Sequence, residues 1–148
     1  MSRAHFLSQK QEERLGILLW FRFARFYNRS IRLSNQHLKR WDLTISQFDL
    51  LVQIGAHQPI SQQELAGKLF VTKGNLTQLI TKLERMELVK RTQEWRTKLI
   101  TLTDKGTTLY SEVVPQQERF QAAQFQGLTK VEQKQLMSLL KKLMNVEN

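Results

Sequence analysis

The first half of the predicted N-terminal helix is apolar on nearly every side. From Gln11 to about Arg40 only Gly16 weakens a helix, and large apolar side chains crowd the first half of this stretch: Leu15, Ile17, Leu18, Leu19, Trp20, Phe21, Phe23 and Phe26. A helix of this kind must be covered on most sides. A chain of 148 residues has little material for such a cover, so we expect a second copy of the chain to supply it.

The last predicted helix offers a matching apolar face. Thr129 and Glu132 form a capping box, in which each side chain bonds the other residue's backbone N–H, before an amphipathic segment. We expect an obligate homodimer, because the first helix needs this cover.

Between these two helices, the apolar spacing and the capping residues predict three helices, a hairpin and one longer helix. Ser46 with Asp49, Ser61 with Glu64, and Thr72 mark helices over 47–57, 62–69 and 73–86. The segments 89–92 and 98–102 alternate apolar and polar residues and are predicted to pair as a hairpin. Thr103 caps the longer helix, which we expect Pro115 to bend rather than stop and Gly127 to close.

The centre of this order is a helix-turn-helix followed by a wing. The predicted fold class is mainly α with a small β-hairpin wing (α+β), in one domain over 1–148. The apolar residues of 61–83 suit two helices packed crosswise, and they leave a polar strip facing outward. We predict that this strip enters the major groove of DNA and contacts base edges through Thr72, Lys73, Asn75, Thr77, Gln78, Thr81 and Lys82. A merely solvated polar face is the alternative, and the lack of acidic residues between Lys73 and Lys82 favours DNA.

The charge of the chain also indicates a polyanionic partner. The net charge is +10, with nine cationic against two acidic residues in 1–40 and nine against five in 61–106. Charge alone does not choose between nucleic acid and a membrane surface, but the dimer needs the apolar residues of the first helix. We expect no membrane partner and a cytoplasmic location, because no segment approaches roughly 20 apolar residues and no signal peptide is recognisable.

Several classes of site are not expected. The chain has no Cys, which excludes disulfides, thiolate metal sites and thiol redox sensing. His5, His37 and His57 lack metal-ligand spacing with carboxylates, so we read them as surface or packing residues. No catalytic motif occurs. We therefore expect no enzyme activity, no cofactor and no metal.

Four segments together resemble the MarR family of bacterial regulators: LTISQFDLLVQIG, SQQELAGKL, TQLITKLERMELVKR and LITLTDKG. The resemblance covers nearly the whole chain. It implies a DNA-binding lobe over about 42–106, flanked by dimerisation helices over about 8–40 and 107–146. In the fold that the resemblance implies, the first and last helices of two chains pair, and the predicted dimer seam consists of Leu15, Leu18, Leu19, Phe26, Leu136, Leu140 and Leu143. It also implies a homodimer that binds a palindromic operator in double-stranded DNA and represses, or less often activates, nearby genes. Release by a small aromatic or other lipophilic effector is common in the family, and some aromatic residues of the first helix would then line its site.

The chain departs from the family pattern at several positions. Gln78 stands where the family often has a base-contacting Arg, and Gln pairs best with adenine. The wing tip, usually Asp-Arg-Arg, aligns with Glu94, Trp95 and Arg96 on a wing that looks shortened. The predicted wing contacts are Trp95, Arg96 and Lys98.

Trp95 has two interpretations. It lies along the sugar backbone of DNA, or it packs on Val89 and Ile100, which we favour because a buried indole gains more. Glu87 replaces the Gly that usually ends the recognition helix, so that turn avoids left-handed geometry or costs about 1 kcal/mol.

Two questions stay open at this stage. The stripe Arg22, Arg25, Arg29 and Arg32 is a solvated flank, a phosphate-contacting surface or a site for an anionic effector. The alternative to a sequence-specific regulator is an architectural DNA-binding protein that uses the same charge without reading sequence.

Overall fold

The computed structural model describes residues 3–69 and 71–145, with side chains from Gln9 onward. The side chain of His5 and the two ends of the predicted single domain therefore lie outside the described residues. The helices are α1 (Arg3–Leu38), α2 (Ile45–His57), α3 (Gln62–Leu69), α4 (Lys73–Arg85), α5 (Asp104–Ala123) and α6 (Lys130–Met144), with a 3₁₀ turn at Lys39–Trp41. The strands are β1 (Ile60–Ser61), β2 (Val89–Glu94) and β3 (Thr97–Leu102). The predicted fold class, mainly α with a small hairpin wing, is confirmed.

The sheet has three antiparallel strands in the order β1-β3-β2. The hairpin β2–β3 was predicted, although its strands run closer to the tip than expected. Strand β1 was not predicted; it pairs Ile60 with Ile100 and Ser61 with Leu99. The β2–β3 register pairs Glu94 with Thr97, so the wing turns on two residues.

The predicted cap of α2 at Ser46 is wrong. The helix begins at Ile45, and Thr44 is its N-cap: the Thr44 hydroxyl oxygen accepts from the Gln47 N–H at 3.2 Å. The Gln47 side chain accepts from the Thr44 N–H at 3.0 Å, which completes a capping box. Asp49 caps nothing, and desolvation raises its pKa.

The other predicted caps are present. Ser61 Oγ accepts from the Glu64 N–H at 3.2 Å and donates to the Glu64 carboxylate at 3.1 Å. At the start of α6, the Thr129 N–H and then its hydroxyl hold the pKa of Glu132 below its usual value. Helix α5 continues through Pro115 but ends at Ala123, before Gly127.

The hydrophobic core lies between α2, α3, α4 and the sheet, and it extends to Leu38 of α1 and Val113 of α5. The residues predicted to pack α3 against α4 do so. Leu65, Leu76, Ile80 and Leu83 are fully buried, and Leu69, Val71 and Leu79 pack partly buried against them. None of the described helices is long and apolar enough to cross a membrane.

Candidate nucleic-acid interface

Helix α4 is held by one face and presents the other to solvent. Leu76, Ile80 and Leu83 are fully buried, and these residues fix the rotation of the helix about its axis. Thr72 fixes its start, because the Thr72 hydroxyl oxygen accepts from the Asn75 N–H at 3.2 Å. The predicted recognition strip therefore lies on the outer face.

Four members of the strip have unengaged side chains. Lys73, Asn75, Gln78 and Lys82 are exposed. Within the part of the chain that the structure describes, the side chains of these four residues form no hydrogen bond or ion pair. Two cations and two amides thus stand free on one helix, with donors and acceptors suited to base edges and phosphates.

Thr77 has a second role inside the lobe. Its hydroxyl donates to the Lys73 carbonyl at 2.8 Å and accepts from Gln62 Nε2 at 2.7 Å. The single hydroxyl proton of Thr77 is therefore committed within the lobe, and Thr77 links α4 to α3. A contact of Thr77 with DNA stays a prediction.

Thr81 is half-buried and lies next to the wing. Its hydroxyl oxygen accepts from Arg91 Nη2 at 3.5 Å, and Arg91 Nε forms an ion pair with Glu84 at 2.9 Å. These contacts join the second half of α4 to β2.

The wing tip carries the three predicted contact residues, all exposed. Trp95 is 94% exposed, so the prediction that it packs on Val89 and Ile100 is wrong. The reason is geometric: Trp95 lies beyond the last cross-strand pair, and six residues of extended strand place Val89 about 20 Å away. Arg96 and Lys98 stand beside it.

The connection between α4 and the wing adopts the left-handed conformation. Glu87 has φ 61°, so the chain bears the conformational cost of a non-glycine residue there. The Thr103 hydroxyl donates to the Glu87 carbonyl at 2.6 Å, and the Thr103 N–H donates to the Leu88 carbonyl at 3.0 Å. Gly106 packs directly on Leu88, with no room for a Cβ. These contacts hold the start of the wing against the start of α5.

A cavity of about 720 Å³ lies between the 3₁₀ turn that follows α1, the end of α4 and the start of α5. Its lining combines apolar side chains with two cations and two carboxylates. The lining residues are Trp41, Asp42, Lys82, Met86, Leu88, Lys105, Thr108, Leu109 and Glu112. Trp41 Nε1 donates to Glu112 at 3.2 Å. Because Lys82 belongs to both the cavity and the outer strip of α4, the two surfaces meet at this residue.

The predicted dimer seam is uncovered in the single chain. Leu19 is 61% exposed and Leu143 is 70% exposed, and Leu15, Leu18, Phe26 and Leu140 are also exposed. Leu136 is half-buried. Phe26 packs on Phe125 with ring centroids 5.4 Å apart, which joins α1 to the turn before α6. The two apolar faces therefore belong to neighbouring parts of the molecule.

The remaining predictions concern the arginines of α1, the histidines and metal binding. The four arginines of the α1 stripe are exposed, and their role stays open. His37 is a packing residue, stacked on Phe120 at 4.3 Å between centroids and with Nδ1 2.6 Å from Gln117 Oε1. Among the described residues, no group of three or more His, Asp or Glu side chains could hold a metal ion.

The chain is similar to known transcriptional regulators in sequence and in structure. The MarR family model matches residues 43–94. An HTH-type transcriptional regulator of Bacillus cereus is 42% identical over 134 residues, which cover 90% of this chain and 91% of the relative. A mutant of E. coli MarR in complex with operator DNA is similar in structure, with a TM-score of 0.78 and 28% identity over 86% of this chain and 94% of that one. MepR of S. aureus in complex with DNA gives a TM-score of 0.79 and 25% identity over 84% of this chain and 95% of that one.

Proposed function

Because the chain belongs to the MarR family of transcriptional regulators, we propose that it is a homodimeric repressor that binds a palindromic operator with sequence specificity. The observation that carries this proposal is the outer strip of α4, where Lys73, Asn75, Gln78 and Lys82 are exposed and unengaged. The role is one of binding, not catalysis.

Helix α4 is proposed to lie in the major groove. Gln78 is the base-reading residue of this proposal, because a carboxamide forms a bidentate pair with the N6 and N7 atoms of adenine. Lys73 and Lys82 supply positive charge on either side of it. Arg96 and Lys98 at the wing tip contact the DNA backbone and place the lobe on the duplex without reading bases.

The uncovered faces of α1 and α6 support dimerisation. Large apolar side chains such as Leu15, Leu19 and Phe21 are about 60% exposed and form one continuous patch. The surface of a monomeric protein normally exposes apolar residues singly. A second copy would cover this patch and would place two α4 helices on the two half-sites of one operator.

The cavity between the 3₁₀ turn, α4 and α5 is the proposed effector site. Trp41, Leu88 and Leu109 offer an apolar wall. Lys82 and Lys105 can pair with the carboxylate of a small aromatic acid, and they must outweigh Asp42 and Glu112, which line the same cavity. A ligand that draws Lys82 inward removes a cation from the DNA-facing strip. Benzoate and naphthoate are suitable probes, with Trp41 fluorescence reporting binding and DNA affinity reporting release.

The central experiment is selection of a duplex from a random-sequence pool with the wild-type protein, followed by footprinting on the DNA upstream of its own gene. We expect one palindromic sequence to be enriched and protected, and to resist competition by random DNA. Equal competition by random DNA would instead favour the architectural DNA-binding alternative.

A further inference from the structure

The wing tip carries an exposed aromatic residue that dimerisation does not explain. Trp95 is 94% exposed. Among the described side chains, every other large apolar residue with high exposure lies on α1, on α6 or, as Phe125, against Phe26 of α1. A second copy of the chain seated on α1 and α6 leaves Trp95 in solvent, at the end of the hairpin.

The backbone holds Trp95 in a conformation that its side chain disfavours. Trp95 is the first of two turn residues and has φ 57°, a geometry that Gly or Asn normally supplies in such hairpins. For a bulky residue this conformation is uncommon. Gln93 Nε2 donates to the Trp95 carbonyl at 3.3 Å and so supports the turn. Strain of this kind, at a position where a smaller residue would fit better, is a reason to look for a function.

The charges around Trp95 indicate a polyanionic partner. Arg96, Lys98 and Lys90 are exposed on the hairpin. Glu94 is the acidic residue of the same hairpin. An exposed indole with adjacent cations is the combination that proteins use on nucleic acids, with the aromatic plane on sugars or bases and the cations on phosphates.

We infer that Trp95 is an apolar wedge that enters the minor groove beside each half-site and packs on deoxyribose and base edges. This inference rests on the proposed function, since it needs the chain to bind duplex DNA. Trp95 makes the apolar contact, and Arg96 neutralises a phosphate. The wing then senses the width and deformability of the groove, so it adds specificity at base pairs that α4 does not reach.

Affinity measured against salt separates the two roles. On the selected duplex, Trp95→Ala is expected to weaken binding about tenfold or more for each wing, with the slope of log K against log salt unchanged. Arg96→Ala is the matched control, and it is expected to make that slope shallower by about 1 for each wing. A shallower slope for Trp95→Ala would mean that the indole acts only by positioning Arg96, which overturns the inference.

Quenching by acrylamide gives a second measurement. The Trp95 signal is the difference between wild type and Trp95→Phe. In the free protein it is expected to be strongly quenched, and on the selected duplex it is expected to be shielded. An indole that stays accessible on DNA, with affinity unchanged in Trp95→Ala, overturns the inference while leaving the proposed function intact. Failure of the wild type to select any duplex would refute the proposed function itself.

A third variant tests whether the strain serves binding. Asn tolerates positive φ better than Trp does, so Trp95→Asn is expected to raise the urea midpoint of the free protein and to weaken DNA binding. Opposite signs for stability and binding are the signature of a residue kept for contact. A variant that gains stability and binds DNA as tightly as wild type contradicts the wedge.

Discussion

Replacement of Gly106 by Ala tests how the wing is attached to the body of the lobe. A Cβ at this position would lie 2.9 Å from the Leu88 carbonyl carbon and closer still to its oxygen. Ordinary contacts between carbon atoms are about 3.5–4.0 Å, so the start of α5 must move away by at least about 0.6 Å. Leu88 is almost fully buried, and the atoms that the Cβ would meet are backbone atoms, which cannot move aside as the end of a flexible side chain could.

This displacement reaches the hydrogen bonds of Thr103. The hydrogen bond from the Thr103 N–H to the Leu88 carbonyl is 3.0 Å long. The displacement would stretch it beyond about 3.5 Å, the distance at which a hydrogen bond is lost. The bond from the Thr103 hydroxyl to the Glu87 carbonyl spans the same junction, whereas the bond from the Gly106 N–H to Thr103 lies within the start of α5 and moves with it. Two bonds at about 1 kcal/mol each give a loss of about 2 kcal/mol. The better helix propensity of Ala offsets up to about 1 kcal/mol of this loss.

The expected net destabilisation of Gly106→Ala is therefore about 1–2 kcal/mol, measured by urea unfolding followed by circular dichroism. All samples need the same protomer concentration, because the stability of a dimer depends on it. Gly67→Ala is the matched control: a Cβ there meets nothing within 4 Å, so that variant should gain about 0.5–1 kcal/mol. If both variants shift the midpoint in the same direction, the close contact of Gly106 with Leu88 does not secure the junction.

Three further predictions concern binding and assembly. Gln78→Ala should cost about 1–3 kcal/mol on the selected operator and little on random DNA, whereas Gln126→Ala, on an exposed turn, should change neither; equal losses on both DNAs would remove the direct-readout claim. Arg96→Ala should weaken binding to all sequences, and an unchanged affinity and salt slope would mean that the wing does not touch DNA. Leu19→Asp should unfold the chain as well as dissociate it, and sedimentation at low micromolar concentration should find the wild type dimeric; a folded wild-type monomer would contradict the seam.

Local patterns were enough to predict most of the fold. The order of helices and strands followed from periodicity and from caps such as Thr103 and Thr129, because a cap needs only residues three positions apart. Helix α2 shows the limit of this reasoning. Thr44 and Ser46 are both of residue types that can cap a helix. Thr44 is the cap because Gln47, three positions later in the pattern Thr-x-x-Gln, returns a hydrogen bond to it.

Features that depend on distant segments were not predictable in the same way. Strand β1 has two residues, and its partner Ile100 lies forty positions further along the chain. The exposure of Trp95 depends on how far the strands pair, and they pair up to a two-residue turn where the sequence predicted a five-residue connection. The cavity joins side chains from the 3₁₀ turn after α1, from α4 and from α5, such as Trp41, Lys82 and Leu109, and no local motif places them together.

Backbone strain in this chain coincides with the surfaces proposed for binding. Of the described residues other than glycine, Asp42, Glu87 and Trp95 have positive φ, and no described glycine does. Asp42 lines the cavity, Glu87 lies between two residues that line it, and Trp95 is the wing tip. Each turn would be more stable with Gly or Asn, so stability alone does not explain the residues present. A carboxylate facing a mixed-charge cavity and an indole aimed at solvent have chemistry that glycine lacks. A local rule that fails at such a place is expected where function, not folding, determines the residue.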